Sequence, residues 1–452
     1  MKKIDELETE LLGAPPELTD DGLALELTRR HGEDLLYVHE WGRWLRWDGH
    51  RWTFERTLAV YDLARQLVHG LDIEEARLRA RITAASTIHA IVALARADRM
   101  HARVPEDFDR DIWLLNTPTG TIDLRTGARQ APARRDGITK STPVAPSDVL
   151  APHWVACLAT WTNGDAELIA FLQRLCGYWL TGSVREEKLV LIYGSGGNGK
   201  TKFIETVRGT VGHDYAAGMA METLLVTQGE QHPTDLADLR AKRLVIATET
   251  EEGRRLAEAK IKALTGGDRI RARHMRRDFF EFNPTHKIVI VGNHRPALRN
   301  TDEAMRRRLL LVPFDAVIAP EARDPQLADR LAAERPAILG WMLAGCRAWL
   351  ERGLDPPARV LAATEDYLES ADAFGRWLEE RCDVAPSAFM TKAASFESWK
   401  AWAEAAGEYV GTKRRLCELI SRLPGVDEAR LGKARAKAFL GIGLRAEGAD
   451  AG

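Results

Sequence analysis

Four short apolar runs punctuate the middle of the chain: "LVLIY" from 189, "LVIA" from 244, "IVIV" from 288 and "LLLV" from 309. Runs of this length, flanked by charge or glycine, suit strands buried on both faces. They alternate with helical periodicity up to about residue 315, so an α/β core is predicted. Just upstream, "DAELIAFLQRLCGYWLTG" reads as an amphipathic helix. Nearer the N-terminus, "DLLYVHEWGRWLRWDGHRWTF" alternates around Asp48-Gly49, which predicts a hairpin. Residues 58–103 read as helical, "WLLNTPTGTIDLRTGARQAP" as short strands with glycine turns, and "STPVAPSDVLAPHW" as a boundary near residue 150. Residues 1–30 are acidic with helical tendency. A helical tail is expected to about 380, then short helices with clustered Lys and Arg. No internal repeat interrupts this order.

Size and composition narrow the picture. At 452 residues the chain exceeds one ordinary core, and 45% apolar with 29% charged residues is a globular composition. No apolar run approaches the ~20 residues of a membrane helix, and "MKKIDELETELLGAPP" lacks a signal peptide's apolar core. The five cysteines are scattered, without a CxxC pair, so reduced thiols in a cytoplasmic protein are expected and a zinc site is not. With a net charge of -2, nucleic-acid contact has to come from local basic patches.

The candidate chemistry begins after the first run. "KLVLIYGSGGNGKTKFIETV" joins a strand, a glycine loop and a helix, and Gly194, Ser195, Gly196, Gly197, Asn198, Gly199, Lys200 and Thr201 fit G-x-x-x-x-G-K-[ST] without a mismatch. Glycines let backbone N–H groups converge on phosphate oxygens, and the helix N-terminus adds partial positive charge. Lys200 is placed to reach the β- and γ-phosphates and Thr201 to ligate Mg²⁺, so ATP and Mg²⁺ are the expected cofactors. A chance glycine turn is the competing reading, which the flanking strand and helix disfavour. The second run leads into Glu249, Glu251 and Glu252; one carboxylate would hold Mg²⁺ and another polarise the attacking water, with Glu249 favoured for the metal and Glu252 read as a solvated turn. The third run ends near Asn293, whose amide could hold the hydrolytic water. Arg306, Arg307 and Arg308 precede the fourth, as either a basic cap or an arginine finger entering a neighbouring subunit.

Between the second and third runs, "GGDRIRARHMRRDFFEF" holds five arginines and one histidine within nine residues. Ile270 and Ala272 alternate with Arg269, Arg271 and Arg273, and "DFFEF" reads as the returning strand, so the turn falls near His274-Met275-Arg276-Arg277. A hairpin with apolar residues at its base and cations at its tip suits a phosphate backbone. Arg271, Arg273, His274, Arg276 and Arg277 are the candidate DNA contacts. Pairing of Arg271 and Arg273 with Asp268 or Asp278, or a charged edge strand that resists aggregation, is the alternative.

The ordered set of motifs resembles superfamily 3 helicases, most closely the C-terminal half of satellite-phage, plasmid and poxvirus primase-helicases. "EKLVLIYGSGGNGKTKF", "HPTDLADLRAKRLVIATETEEG", "IKALTGGDRIRARHMRRDFFEF" and "KIVIVGNHRPALRNTDEAMRRRLLLVPF" stand in that family's order and spacing. "LNTPTGTIDLRTG" and the Trp-rich start resemble the domain preceding the helicase core, and "SFESWKAWAEAAGEYVGTKRRLCELI" through "AKAFLGIGL" resembles the winged-helix-like tail. The resemblance implies an AAA+-like P-loop core (151–318) with an α+β N-terminal domain (35–150) behind a flexible segment (1–34), a helical connector (319–380) and a winged-helix-like DNA-binding domain (381–452). It further implies a homo-oligomer, a hexameric ring, that moves on single-stranded and forked DNA in phage or mobile-element replication. Under it Lys200 and Thr201 are the Walker A pair, Glu249 the Walker B acid, Asn293 the sensor and Arg307 the finger, with Arg308 as alternative. One departure stands out: Thr250 follows Glu249 where many members carry a second acid, leaving Glu251 to take that role or a single acid to suffice.

Other features are weighed against these. Trp41, Trp44, Trp47 and Trp52 are expected to form a small core in preference to a base-stacking surface, and His232 to serve structure. Lys413, Arg414, Arg415, Lys433, Arg435 and Lys437 form two basic groups that are either a duplex-DNA surface or a solvated face. A primase activity is not expected, because only about thirty residues precede the Trp-rich region; a separate primase is a candidate partner. The competing functional reading is an ATP-switched replication initiator or defence regulator without processive unwinding.

Overall fold

The computed structural model describes residues 16–226, 234–248, 255–275, 278–296, 298, 302–370, 373–421, 423, 425–431 and 436–445. The N-terminal part opens with helix α1 (Asp20–His31), followed by β1 (Leu35–Val38), β2 (Arg43–Trp47) and β3 (Trp52–Phe54). Helices α2 (Ala59–His69), α3 (Ala76–Ile82) and α4 (Ala85–Ala95) and the short β4 (Ala102–Arg103) come next. The order β3-β2-β1-β4 makes one sheet, with Trp47 opposite Trp52 across the expected hairpin. Trp44 and Trp52 are buried, so these aromatics form core as expected. The strands β5 (Leu114–Thr117), β6 (Gly120–Asp123) and β7 (Arg129–Gln130) form a small antiparallel meander.

Two helices, α5 (Pro152–Trp161) and α6 (Ala166–Trp179), lead to β8 (Leu189–Tyr193), α7 (Lys200–Val211), β9 (Ala216–Met219), α8 (Thr234–Ala237) and β10 (Leu244–Thr248). Then follow α9 (Glu258–Thr265), β11 (Ile270–Ala272), β12 (Phe280–Phe282), β13 (Lys287–Gly292), α10 (Glu303–Arg306) and β14 (Leu309–Pro313). Five of these strands form a parallel sheet in the order β14-β8-β13-β10-β9. Strand alternation divides its side chains between two layers: Val190, Ile192, Val289, Val291, Leu310 and Val312 pack with α5, α6 and α7, and Leu189, Leu191, Ile288, Ile290, Leu309 and Leu311 pack on the opposite face. All five strands point the same way, so the loops after β8, β13 and β14 emerge along one edge, where open α/β sheets bind ligands.

Arg243 and Lys287, at the heads of β10 and β13, are buried and have no carboxylate partner among the described residues. Arg243 donates to the Leu180 and Leu114 carbonyls and Lys287 to the Thr181 carbonyl, so both cations sit on the carbonyl-rich end of α6. Burial holds both pKa values below the ordinary Arg and Lys ranges. They tie the sheet to α6 and, through Leu114, to the N-terminal meander.

The tail continues with α11 (Leu327–Ala333), α12 (Arg335–Arg352), α13 (Ala358–Ser370) and α14 (Ala373–Arg381). Helices α6 and α12 cross with their backbones touching: a Cβ on Gly177 would lie 2.0 Å from the Cys346 nitrogen, and one on Gly345 1.9 Å from the Gln173 carbonyl oxygen. Gly177→Ala is therefore expected to force the helices apart and destabilise the fold by about 1–3 kcal/mol, read as an earlier midpoint in urea unfolding. The final segment departs from the expected run of short helices. It pairs β15 (Cys382–Thr391), β16 (Asp427–Leu431) and β17 (Ala436–Leu444) in the antiparallel order β15-β17-β16, packed on α15 (Lys392–Ala405) and α16 (Lys413–Ile420) around Trp377, Trp399, Trp402 and Phe439.

Candidate functional site

The loop between β8 and α7 is shaped by close approaches that only glycine permits. A Cβ on Gly194 would lie 2.2 Å from the Phe314 carbonyl oxygen, and Gly199, at φ +87°, turns the chain into α7 while lying against the Trp161 ring. Asn198 is buried and donates its amide to Phe314 O at 2.5 Å, which fastens the loop to the end of β14. Ser195, Gly196, Gly197 and Thr201 remain exposed at the mouth. Backbone N–H groups at this helix start are free to converge on an anion.

Lys200 is 4% exposed. Its Nζ donates to Gly194 O at 2.7 Å, to Asn198 Oδ1 at 2.9 Å and to Asn293 Oδ1 at 2.9 Å. All three acceptors are neutral, so burial lowers the ammonium's pKa from the ordinary lysine value. A cation so placed gains from exchanging amide oxygens for phosphate oxygens. The contact also unites two sequence-predicted residues: Asn293 follows β13, which pairs directly with β8. Thr201 presents an exposed hydroxyl one residue along α7, a position that fits a ligand to Mg²⁺ beside a bound polyphosphate. Glu249, Glu251, Glu252 and His232 lie outside the described residues.

The three arginines before β14 separate by environment. Arg306 pairs with Glu365. Arg308 is buried, donating to Glu187 and to the Ala304 carbonyl, each at 3.0 Å. Arg307 leaves 62% of its side chain exposed, with Glu187 Oε2 at 3.7 Å. Register places it: Leu309 pairs with Leu189 at the start of β8, and the glycine loop follows that strand's other end. A strand of this length spans roughly 15 Å. Arg307 thus stands at the opposite edge of the sheet from its own chain's loop.

Strands β11 and β12 form the basic hairpin, pairing Ile270 with Phe282, Arg271 with Glu281 and Ala272 with Phe280. Ile270, Ala272 and Phe282 are buried and Arg271 is exposed, as the alternation predicts. Arg269 pairs with Glu281 at 3.7 Å. Arg271 and Arg273 do not pair with Asp268 or Asp278; their guanidinium carbons lie 4.4 and 4.9 Å from the ring centre of exposed Phe279. His274 stacks on Phe280. Phe279, which sequence reasoning passed over, makes the hairpin's outer face an aromatic surface flanked by cations, chemistry that suits a base and its phosphate. Arg276 and Arg277 lie outside the described residues. On the C-terminal sheet, Lys392, Lys413, Arg414 and Lys437 line one groove with Glu418 and Glu428; Lys433 and Arg435 lie outside the described residues, and Arg415 sits on α16.

Comparison with known proteins follows the same layout. Residues 24–163 match the family described as D5 N terminal like, and residues 192–308 match a family of unknown function, DUF5906. The protein named "Putative helicase L207/L206" of Acanthamoeba polyphaga mimivirus is 25% identical over 231 residues, covering 46% of this chain and 24% of its own. "Putative helicase 022R" of Frog virus 3 (isolate Goorha) is 26% identical over 287 residues, covering 58% and 28%. The chain thus spans 24% to 28% of the length of these relatives. The apo structure of the NrS-1 C terminal region shares the fold, with a TM-score of 0.51 at 10% identity over 90% of this chain and 96% of that one.

Proposed function

Because the chain belongs to the D5-like family of superfamily 3 helicases, we propose that it is an ATP-dependent DNA helicase whose subunits assemble head to tail into a ring around single-stranded DNA. The observation that carries the reading is the Lys200–Asn293 hydrogen bond, which joins the glycine loop to the neighbouring strand end at the ligand-binding edge of the sheet. Lys200 and the loop amides bind the polyphosphate of ATP, and Asn293 orients the attacking water or registers the γ-phosphate. Thr201 and Glu249 hold Mg²⁺, which supplies charge neutralisation on the phosphates. Glu251 is the candidate to polarise the water.

Arg307 completes the site from the next subunit. The basic hairpin grips the strand in the ring's channel, and the C-terminal sheet with α15 and α16, read as a winged-helix-like domain, meets duplex DNA through Lys413, Arg414 and Lys437. A separate primase supplies primers. What supports the head-to-tail arrangement is Arg307's place, exposed and a strand's length from the loop of its own chain.

Removing both Arg271 and Arg273 tests the DNA half of the reading. The double alanine variant is expected to bind single-stranded DNA at least about tenfold more weakly and to lower the salt slope of binding by about two. It is also expected to stop displacing strands from forked DNA. Wild-type ATP hydrolysis without strand release on the same forks favours the ATP-switched initiator instead.

A further inference from the structure

We propose that Arg323 contacts the polyphosphate held by the loop of its own chain; this rests on the nucleotide-binding reading given above. Beyond β14 the chain runs through a single 3-10 turn, Pro320–Ala322, and returns toward the glycine loop. There the Arg323 guanidinium lies against Gly197: a Cβ at that glycine would sit 2.8 Å from Nη2. Gly196 beside it faces open space.

Two nearby carboxylates are engaged elsewhere, Asp315 by Arg359 at 2.9 Å and Asp324 by Arg330 at 3.1 Å. Arg323 makes no ion pair among the described residues, and its one hydrogen bond is a long 3.5 Å donation to the Ile318 carbonyl. An exposed guanidinium without a carboxylate partner, beside backbone N–H groups that converge on an anion, forms the second wall of a phosphate site. Its planar fork can engage two phosphate oxygens, which a lysine cannot reproduce. Arg323 serves the nucleotide in cis, whereas Arg307 stands at the far edge of the sheet and serves a neighbour. The opposing possibility is that Arg323 merely drapes over the loop, in which case removing it unblocks the mouth.

Titration of a fluorescent ATP analogue with Mg²⁺ into the full chain separates these. Arg323→Ala is expected to weaken binding about tenfold or more, and Arg323→Lys to recover part of the loss. Arg208→Ala, which removes the same charge from the last turn of α7, is expected to bind as the wild type does. Unchanged or tighter binding by Arg323→Ala overturns the proposal. Lys200→Ala in the same series tells the two levels apart. Loss of binding there with none in Arg323→Ala sinks only this inference, while wild-type binding by both sinks the nucleotide reading. Arg323 is exposed, so a thermal melt overlaying that of the wild type is expected for both of its variants.

Discussion

Lys200→Ala is expected to abolish ATP hydrolysis, a loss of at least about 10²–10³-fold, and with it every strand-displacement activity. The ammonium is buried inside the glycine loop, held by Gly194, Asn198 and Asn293 and, among the described residues, by no carboxylate. Burying an ammonium among neutral acceptors opposes its charged form, so the fold tolerates a cost that an anionic ligand relieves. The clearest readout is therefore thermodynamic. At ATP near one hundred times its Kd the wild-type chain should gain about 2.7 kcal/mol of stability, and the variant none. Without nucleotide the two should melt close together, because removing a desolvated charge and stranding its three acceptors act in opposite directions. Thermal melts with and without ATP and Mg²⁺ check both statements. An undiminished ATP-induced shift in the variant would refute the assignment of the loop.

How much of this was legible in the sequence depends on whether a residue's neighbours are local. The four apolar runs could be recognised because a strand covered on both faces must be apolar throughout, and all four lie in the parallel sheet. The fifth strand, "AAGM", sits at the edge and carries no such signal. Alternation in "RIRA" placed Ile270 and Ala272 inward, but three phenylalanines in "DFFEF" left it open which one faces out. Only the pairing of Ile270 with Phe282 sends Phe279 to the arginine side. Arg243 and Lys287 looked like ordinary basic flanks of strands. Their partners are helix-end carbonyls more than sixty residues away, a tertiary fact without a local pattern. Arg323 was invisible for the same reason, since its proximity to Gly197 depends on where β14 ends and how the chain turns. At the C-terminus, Pro386 and a register shift between Val384 and Phe389 break the alternation of β15, which is why helices were expected where a sheet stands.

Arg307→Ala is expected to lower the ATPase rate by about 10³–10⁵-fold. Arg306 is held by Glu365 and buried Arg308 by Glu187 at 3.0 Å, whereas Arg307 stays largely exposed, with the same Glu187 at a longer 3.7 Å. Its edge of the sheet is a strand's length from the chain's own loop, so the proposed ring predicts a defect shared between subunits, which mixing detects. A ring subunit carrying Arg307→Ala keeps Lys200, and one carrying Lys200→Ala keeps Arg307. Where the two adjoin in the right order, one complete site forms. In a head-to-tail ring assembled at random from equal amounts, about a quarter of the interfaces are whole. Two preparations that are each inactive should therefore regain a measurable fraction of wild-type ATPase on mixing, and lose it on dilution below the assembly concentration. Arg308→Ala should behave differently, destabilising the fold by exposing Glu187 and the Ala304 carbonyl, without complementing Lys200→Ala. If Arg307→Ala hydrolyses ATP at the wild-type rate, or if mixing restores nothing while both variants remain assembled, the nucleotide does not lie between neighbouring subunits. The basic hairpin would then have no source of coordinated motion.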